Sequence, residues 1–225
     1  ISDGLVPCSD GAGEVVAVGK DVRGLKVGDR VATLFFPNWQ GGRADGESIA
    51  GALGAEGGGV LTERFVAEES GLIKLPDSIS YSEGATLSCA ALTAWNSLFE
   101  AGDLKPGQTV LLLGTGGVSI YALQFAKAAG ATVIITSSDD GKLAHAKQLG
   151  ADHGINYRTH PEWQNEVRRV TNGRGVDVVI EVGGPGTLER SLSSVCTRGR
   201  IAYIGVLTGL AGQANPVALI PTMAS

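Results

Sequence analysis

Residues 110–119 read VLLLGTGGVS, an apolar run followed by a cluster of glycines and a helix-like pattern. Gly114 and Gly116 fit the first two glycines of the G-x-G-x-x-G turn that binds dinucleotides, Gly117 is an extra glycine, and Ser119 stands at the third position. The first glycine permits a tight turn, the second lets backbone approach a pyrophosphate, and a small third residue lets helix and strand pack closely. A glycine turn is a weak signal in a chain with 34 glycines, so its context decides.

The context is a regular alternation of strand-like and helix-like runs from residue 109 onward. Such alternation predicts a parallel sheet with right-handed crossovers, a doubly wound α/β domain. Continuous Val, Ile and Leu runs are typical of strands buried on both faces. The predicted strands are residues 110–113, 133–136, 154–157, 176–182 and 201–206, and the predicted helices are residues 117–129, 141–149, 161–171 and 186–195. The first helix has one predicted packing face, formed by Val118, Ala122, Phe125, Ala126 and Ala129.

Residues 1–80 have a different texture, with short β segments and loops. The predicted strands are residues 13–18, 58–65 and 70–75, with a turn entering a strand at residues 26–32. Residues 41–59 form a glycine-rich loop of a length that is usually functional or mobile. We therefore predict three parts. A β domain covers residues 1–80, a linking segment covers residues 81–108, and a nucleotide-binding domain covers residues 109–225. The linking segment consists of a helix at residues 81–101 followed by a turn.

Composition narrows the class of protein. The chain has 225 residues, a net charge of −5 and a pI near 5.2. The acidic balance argues against a nucleic-acid partner, and no apolar run reaches the ~18 residues of a membrane span. Three widely spaced cysteines are not a disulfide framework, so we expect a cytoplasmic protein. The chain begins at Ile1 and stops inside a continuing pattern, which suggests a fragment lacking both termini; a processed or trimmed domain is the alternative.

The end of the second predicted strand indicates the cofactor. NAD sites carry Asp or Glu there to hold the ribose 2′-hydroxyl, whereas this chain has Ser137 and Ser138, with Lys142 one helical turn on. Hydroxyls can donate to a 2′-phosphate, and a lysine adds positive charge. Asp139 and Asp140 oppose this interpretation unless they cap the next helix. The pattern favours NADPH over NADH, and an ordinary surface lysine is the alternative for Lys142.

Seven stretches carry a family resemblance: residues 10–19, 28–31, 90–95, 114–118, 149–153, 173–177 and 204–206. In this order they resemble the medium-chain dehydrogenase/reductase superfamily, closest to its zinc-independent branch of quinone-oxidoreductase-like and alcohol-dehydrogenase-like enzymes. The resemblance implies a partial GroES-like catalytic domain followed by a C-terminally truncated Rossmann domain. It also implies hydride transfer between NAD(P)H and a quinone, enone or small carbonyl or alcohol, and a homodimer of the intact protein.

The resemblance also assigns cofactor-binding residues. Gly114, Gly116, Gly117 and Val118 match the pyrophosphate turn. Ser138, Lys142 and Tyr157 match positions around the adenosine 2′-phosphate in NADPH-using quinone reductases. The strand ends that line adenine and nicotinamide are matched by Val182, Gly183, Ile204, Gly205 and Val206. Without the resemblance, Tyr157 would be interpreted as a core tyrosine at a strand end.

The number of available ligands indicates whether the chain can bind a catalytic zinc, which needs three ligands from the protein. Ser9 stands where zinc-dependent members carry a histidine, and only Asp10 and Cys8 could join Cys89, which matches their later cysteine. We expect no zinc, and we interpret Cys89 as a small buried hydrophobe. Without a metal, a hydroxyl, N–H group or water must stabilise charge on the acceptor oxygen. The catalytic residue is not identified, and Thr93 is only a weak candidate because a packed helix threonine is the favoured alternative.

Two other functions stay open from the sequence. The first is an NAD-dependent alcohol-dehydrogenase-like enzyme, which cofactor preference would distinguish. The second is a non-catalytic dinucleotide-binding protein, which would bind the cofactor tightly without turnover.

Overall fold

The computed structural model describes residues 4–55 and 57–209. The chain divides into two compact units, Ile1–Leu92 and Thr93–Ser225. This division falls inside the predicted linking segment, residues 81–108.

The first unit contains a three-stranded antiparallel sheet with the order β1-β2-β3. The strands are β1 (Ala12–Glu14), β2 (Arg30–Thr33) and β3 (Leu72–Lys74), the last preceded by a 3-10 turn at Glu69–Gly71. Ala32 in the central strand pairs with Ala12 on one side and with Ile73 on the other. The residues described between β2 and the 3-10 turn form no helix or strand, which agrees with the predicted glycine-rich loop.

Two strand predictions in this unit are wrong: one strand is shorter than predicted, and the other does not form. The strand predicted at residues 13–18 already ends at Glu14, where its ladder with β2 stops at Arg30. Residues 58–65 form no strand, because the Thr62 N–H turns back to the Val60 carbonyl at 2.8 Å and interrupts an extended run.

The helix predicted at residues 81–101 is interrupted at residues 85–86 and is otherwise a series of α-helical and π-helical segments. The series comprises α1 (Tyr81–Gly84), a π-helical turn at Leu87–Ala91, α2 (Leu92–Trp95) and a second π-helical turn at Asn96–Ala101. Ser80 and Glu83 form a reciprocal cap at the start of α1. The helix breaks because the Glu83 carbonyl accepts the N–H and the hydroxyl of Thr86, at 2.9 and 2.7 Å, in place of a regular helical bond.

The described residues of the second unit form a five-stranded parallel sheet with the order β6-β5-β4-β7-β8. Its strands are β4 (Thr109–Leu112), β5 (Thr132–Ser137), β6 (His153–Asn156), β7 (Val176–Glu181) and β8 (Val195–Tyr203). The alternating helices are α3 (Gly117–Ala128), α4 (Asp140–Gln148), α5 (Trp163–Val170) and α6 (Pro185–Ser194). The predicted doubly wound fold is thus confirmed, and four predicted strands and all four helices agree within two residues.

Two apolar clusters cover the two faces of this sheet. The central strand β4 contributes to both clusters: Val110 and Leu112 lie in one, and Leu111 lies in the other together with Leu113, the residue that follows the strand. Burial on both faces explains its uninterrupted apolar sequence. The predicted packing face of α3 is confirmed by the complete burial of its alanines at 122 and 126. None of the helices in the described ranges has the length and apolarity needed to cross a membrane.

The last strand, predicted at residues 201–206, begins and ends earlier in the chain than predicted. β8 begins at Val195 and ends at Tyr203, so residues 204–206 belong to the loop that follows it. The end of β8 is set by its partner, because Tyr203 pairs with Glu181, the last residue of β7.

A charged cluster joins β4 to β7 at the amino end of the sheet. The Asp177 side chain, 9% exposed, accepts the Thr109 N–H at 2.8 Å and two guanidinium nitrogens of Arg174 at 2.9 and 2.5 Å. Burial acts to raise the pKa of Asp177, but the hydrogen bonds from Arg174 and Thr109 and the guanidinium charge outweigh it, so the pKa is lowered.

We expect Asp177→Asn to lower the free energy of unfolding at pH 7 by about 2 kcal/mol, because the buried network loses its negative charge and one of its two acceptor oxygens. A carboxyl group with a lowered pKa in the folded state stabilises the protein above its unfolded pKa, and this contribution is lost as pH falls through the folded pKa. The difference between wild type and variant should therefore shrink below about pH 4. Urea unfolding at pH 7 and pH 3 measures both effects, with the exposed Asp21→Asn as control. A difference as large at pH 3 as at pH 7 would contradict this account.

Candidate cofactor-binding site

The strand order reverses between β4 and β7. The chain continues from β4 through α3 to β5 on one side, and from β7 through α6 to β8 on the other. Open α/β sheets bind ligands in the crevice at the carboxyl ends of strands at such a reversal. The loops that follow the five strands therefore form the candidate site.

The glycine turn after β4 leaves open space in front of a helix. Gly114 has a φ of +73°, a left-handed conformation that glycine adopts without strain, and its N–H donates to the Thr136 hydroxyl at 3.0 Å. Gly116 precedes α3, which begins with Gly117 and Val118 and has no side-chain cap among the described residues. A Cβ atom added at either of the first two glycines would meet nothing within 4 Å. The turn therefore fits a pyrophosphate held by the N–H groups of an uncapped helix.

Ser119 shows why serine can replace the third glycine of the motif. Its side chain is buried, and its hydroxyl donates to the Leu113 carbonyl at 2.8 Å. The only polar atom of this side chain is thus satisfied at the end of β4. A residue this small still lets α3 pack closely on the strand.

The two serines predicted at the end of β5 have different environments. Ser137 is buried; its hydroxyl lies 3.1 Å from the Thr115 hydroxyl and accepts the Asp139 N–H at 3.3 Å. It therefore joins the end of β5 to the glycine turn. Ser138 is half-buried and has no hydrogen-bond partner within residues 4–55 and 57–209. Of the two hydroxyls, that of Ser138 is the one available to a ligand.

The two acids that opposed the NADPH interpretation have partners in the chain. Asp139 caps α4, because its carboxylate accepts the Lys142 N–H at 2.8 Å. Asp140 accepts the side-chain amide of Asn156 at 2.7 Å. The Lys142 side chain is exposed, and no carboxylate of the described chain pairs with its ammonium group. The prediction that an acid caps this helix is confirmed for Asp139.

Tyr157 lies beside the end of β5, since its N–H donates to the Ser137 carbonyl at 3.0 Å. Its side chain is 41% exposed, so the alternative of a core tyrosine is wrong. The next residue, Arg158, is exposed, and its guanidinium group has no partner in the part of the chain that the structure describes. Sequence reasoning missed this second cation because its argument from charge covered only the end of β5, and after β6 it named Tyr157 alone, from the family resemblance. The Tyr-Arg pair was the available signal.

The loops after β7 and β8 contain the remaining predicted residues, Val182, Gly183, Ile204, Gly205 and Val206. These loops pack on each other: the N–H and the hydroxyl of Thr208 both donate to the Gly183 carbonyl, at 2.7 and 2.8 Å. A Cβ atom at Gly205 would lie 2.5 Å from the Val182 carbonyl oxygen. Gly205 therefore lets the backbones of these two loops approach each other, unlike the open glycines Gly114 and Gly116 after β4.

The first unit holds a carboxylate between two hydroxyl groups. Asp10 accepts the hydroxyl of Ser9 at 3.1 Å and that of Ser88 at 2.9 Å. Cys89 is half-buried, whereas burial was predicted, and Cys8 is exposed. Across residues 4–55 and 57–209, no three His, Cys, Asp or Glu side chains are grouped to hold a metal ion. Within these ranges, Cys8, Asp10 and Cys89 therefore do not form the three-ligand group that a catalytic zinc needs.

Thr93, the weak candidate for a catalytic hydroxyl, lies in α2 and is half-buried. No titratable group of the described chain forms a hydrogen bond with it. Its catalytic role therefore stays a prediction.

Two sequence models of protein families match the chain. The family described as "Alcohol dehydrogenase GroES-like domain" matches residues 2–77, and the family described as "Zinc-binding dehydrogenase" matches residues 117–223. The first match covers most of the β unit. The second begins at Gly117, the last glycine of the turn, and covers α3 and the strands that follow it.

Two curated proteins show the range of relatives. The chain is 45% identical over 218 residues to a zinc-type alcohol dehydrogenase-like protein of Schizosaccharomyces pombe, covering 96% of this chain and 63% of the relative. It is 36% identical over 202 residues to a quinone oxidoreductase of Pseudomonas aeruginosa, covering 89% of this chain and 56% of the relative. The chain thus spans less than two thirds of the length of these relatives.

Two solved structures share the fold. An NAD-dependent alcohol dehydrogenase superposes with a TM-score of 0.84 at 35% identity, over 98% of this chain and 66% of that one. A mycobacterial protein solved in complex with NADPH superposes with a TM-score of 0.74 at 29% identity, over 97% of this chain and 62% of that one.

Proposed function

Since the chain belongs to the medium-chain dehydrogenase/reductase superfamily, we propose that the protein is an NAD(P)H-dependent oxidoreductase with a preference for NADPH. Its substrates in this proposal are quinones, enones or small carbonyls and alcohols. The names of the two curated relatives support quinones and alcohols, and the family resemblance supports enones and small carbonyls. The observation that carries the proposal is the open glycine turn before the uncapped N-terminus of α3, at the reversal of strand order.

The bound dinucleotide would supply the hydride chemistry, and the protein would supply position and electrostatics. Gly114 and Gly116 would hold the pyrophosphate, because their missing side chains leave room and the first N–H groups of α3 can donate to it. Ser138 would donate to the adenosine 2′-phosphate, and Lys142 and Arg158 would balance its charge.

The loops after β7 and β8 would line the rest of the cofactor and exclude water from it. We propose that no zinc takes part, and the support is the chemistry of the donors: Ser9 stands at the histidine position and hydrogen-bonds Asp10. The group that stabilises charge on the acceptor oxygen is not assigned. A homodimer and a cytoplasmic location are further proposals, based on the family resemblance and on the cysteine usage.

Cofactor preference is tested by fluorescence titration with NADPH and NADH. We expect NADPH to bind about tenfold more tightly, and Lys142→Ala to remove most of this difference, because in this proposal the lysine charge would contact the 2′-phosphate, which NADH lacks. Lys147→Ala, which removes an exposed lysine from the same helix, should change neither affinity.

The likeness to an NAD-dependent alcohol dehydrogenase favours one alternative function. Tighter binding of NADH would refute the NADPH preference and support that alternative. Tight cofactor binding without turnover on a panel of quinones, enones and aldehydes would instead indicate a non-catalytic binding protein.

A further inference from the structure

Glu181, the last residue of β7, is a fully buried carboxylate with no ion-pair partner in the described ranges. One carboxylate oxygen accepts the N–H groups of Gly183 and Gly184, at 2.7 and 3.0 Å, and the Thr187 hydroxyl at 2.6 Å. The other oxygen accepts the Ser191 hydroxyl. A buried charge is costly unless it is fully hydrogen-bonded, and all four donors here come from the loop after β7 or from α6. The carboxylate therefore holds this segment in place.

The same segment holds the loop after β8. The Gly183 carbonyl accepts two donors from Thr208, and the Gly186 N–H donates to the Thr208 hydroxyl at 2.9 Å. A Cβ atom at Gly184 would lie 2.8 Å from the Cα atom of Val206. Residues 204–208 are thus held in two ways. The N–H groups of Ile204 and Gly205 donate to the Glu181 backbone carbonyl, and Val206 and Thr208 contact the segment that the Glu181 carboxylate fixes.

The order of the strands shows which half of the cofactor this affects. In the proposed function, the adenosine 2′-phosphate lies at the ends of β5 and β6, and the pyrophosphate lies at the end of β4. The sheet continues in the same direction to β7 and β8. A dinucleotide extended along this edge therefore places its nicotinamide half at the loops after β7 and β8.

We propose that Glu181 is a positioning residue, whose buried carboxylate orders the loops after β7 and β8 to receive the nicotinamide half of the dinucleotide. This inference rests on the proposed function. In this proposal, two parts of one sheet edge have different roles. The polar groups after β5 and β6 would bind the adenosine half, and the buried carboxylate of Glu181 at the end of β7 would shape the site for the nicotinamide half.

Glu181→Gln tests the carboxylate with little change in volume. An amide has one acceptor oxygen in place of two and brings an NH₂ group against donors, so the loops should loosen. We expect NADPH binding to weaken about tenfold, as for other changes along a coupled network. Binding of adenosine 2′,5′-bisphosphate, which lacks the nicotinamide half, should change less than about twofold. Glu189→Gln removes the same charge from the exposed surface of α6 and is the matched control.

Hydrogen exchange without any cofactor tests the coupling independently of the proposed function. Glu181→Gln should speed exchange of the amides of Gly183 and Gly184, and also of those at residues 204–208. Unchanged exchange at residues 204–208 would overturn the inference, and so would an equal loss of affinity for NADPH and for the adenosine fragment. Should wild type bind neither NADPH nor NADH, the proposed function fails while the exchange data still decide whether Glu181 orders both loops.

Thr208→Val provides a second variant in case the glutamine variant does not fold. It removes only the hydroxyl that joins Gly183 to Gly186. The inference predicts the same pattern, with weaker binding of NADPH and unchanged binding of adenosine 2′,5′-bisphosphate. Equal binding of NADPH by Thr208→Val and wild type would count against the link between the loops.

Discussion

Gly116→Val is expected to abolish dinucleotide binding and to leave the fold intact. The backbone at this position has a φ of −79° and a ψ of 178°, an extended conformation open to any residue. A Cβ atom there meets no protein atom within 4 Å. The valine side chain would occupy the space in which the pyrophosphate approaches the backbone, so we expect the affinities for NADPH and NADH to fall at least about 100-fold.

Calorimetric titration and thermal unfolding measure the two parts of this expectation. Valine is a poorer residue than glycine at a helix N-cap, so a loss of up to about 1 kcal/mol in stability is expected. Gly19→Val is the matched control, because a Cβ atom at this exposed glycine of the first unit also meets nothing within 4 Å. Retained NADPH binding in Gly116→Val would show that the turn after β4 does not hold the phosphates.

Most of the second unit could be predicted from the sequence because its elements have strong periodic patterns. Strands buried on both faces are continuous apolar runs, and the helices between them carry one apolar face. The end of β8 could not be predicted, because it is set by the end of its partner at Glu181. The first unit was harder, since β1, β2 and β3 contain only three or four residues each and leave little periodicity to detect.

The candidate site was predictable where the chemistry is local in sequence. The glycine turn and the Asp139 cap depend on residues three or four positions apart, so both can be recognised in the amino-acid sequence. The different environments of Ser137 and Ser138 could not be predicted, because they depend on the Thr115 hydroxyl in another loop. Glu181 was also missed: an acid at the end of an apolar strand usually faces solvent, and its donors become evident only when the next loop folds back over it.

The role of each glycine is the part that sequence reasoning could least determine. Gly116 and Gly205 both follow a strand of the parallel sheet and both match the family pattern. One faces open space, and the other faces the backbone of a loop more than twenty residues earlier in the chain. The difference lies only in what a side chain would contact.

Gly205→Ala should therefore lower the stability of the fold, whereas substitution of Gly116 should lower the affinity for the dinucleotide and leave the fold intact. Its Cβ atom would lie 2.5 Å from the Val182 carbonyl oxygen and 3.0 Å from the Val182 carbonyl carbon, both of which are backbone atoms that cannot rotate away. Forcing the two loops apart should cost about 3 kcal/mol of stability, at the upper end of the usual cost of overpacking. Urea unfolding measures this loss, and Gly116→Ala, the same substitution at the open position, is the control. Equal stability of the two alanine variants would mean that the loop after β8 moves aside freely, and it would remove the basis for treating the loops after β7 and β8 as one ordered surface.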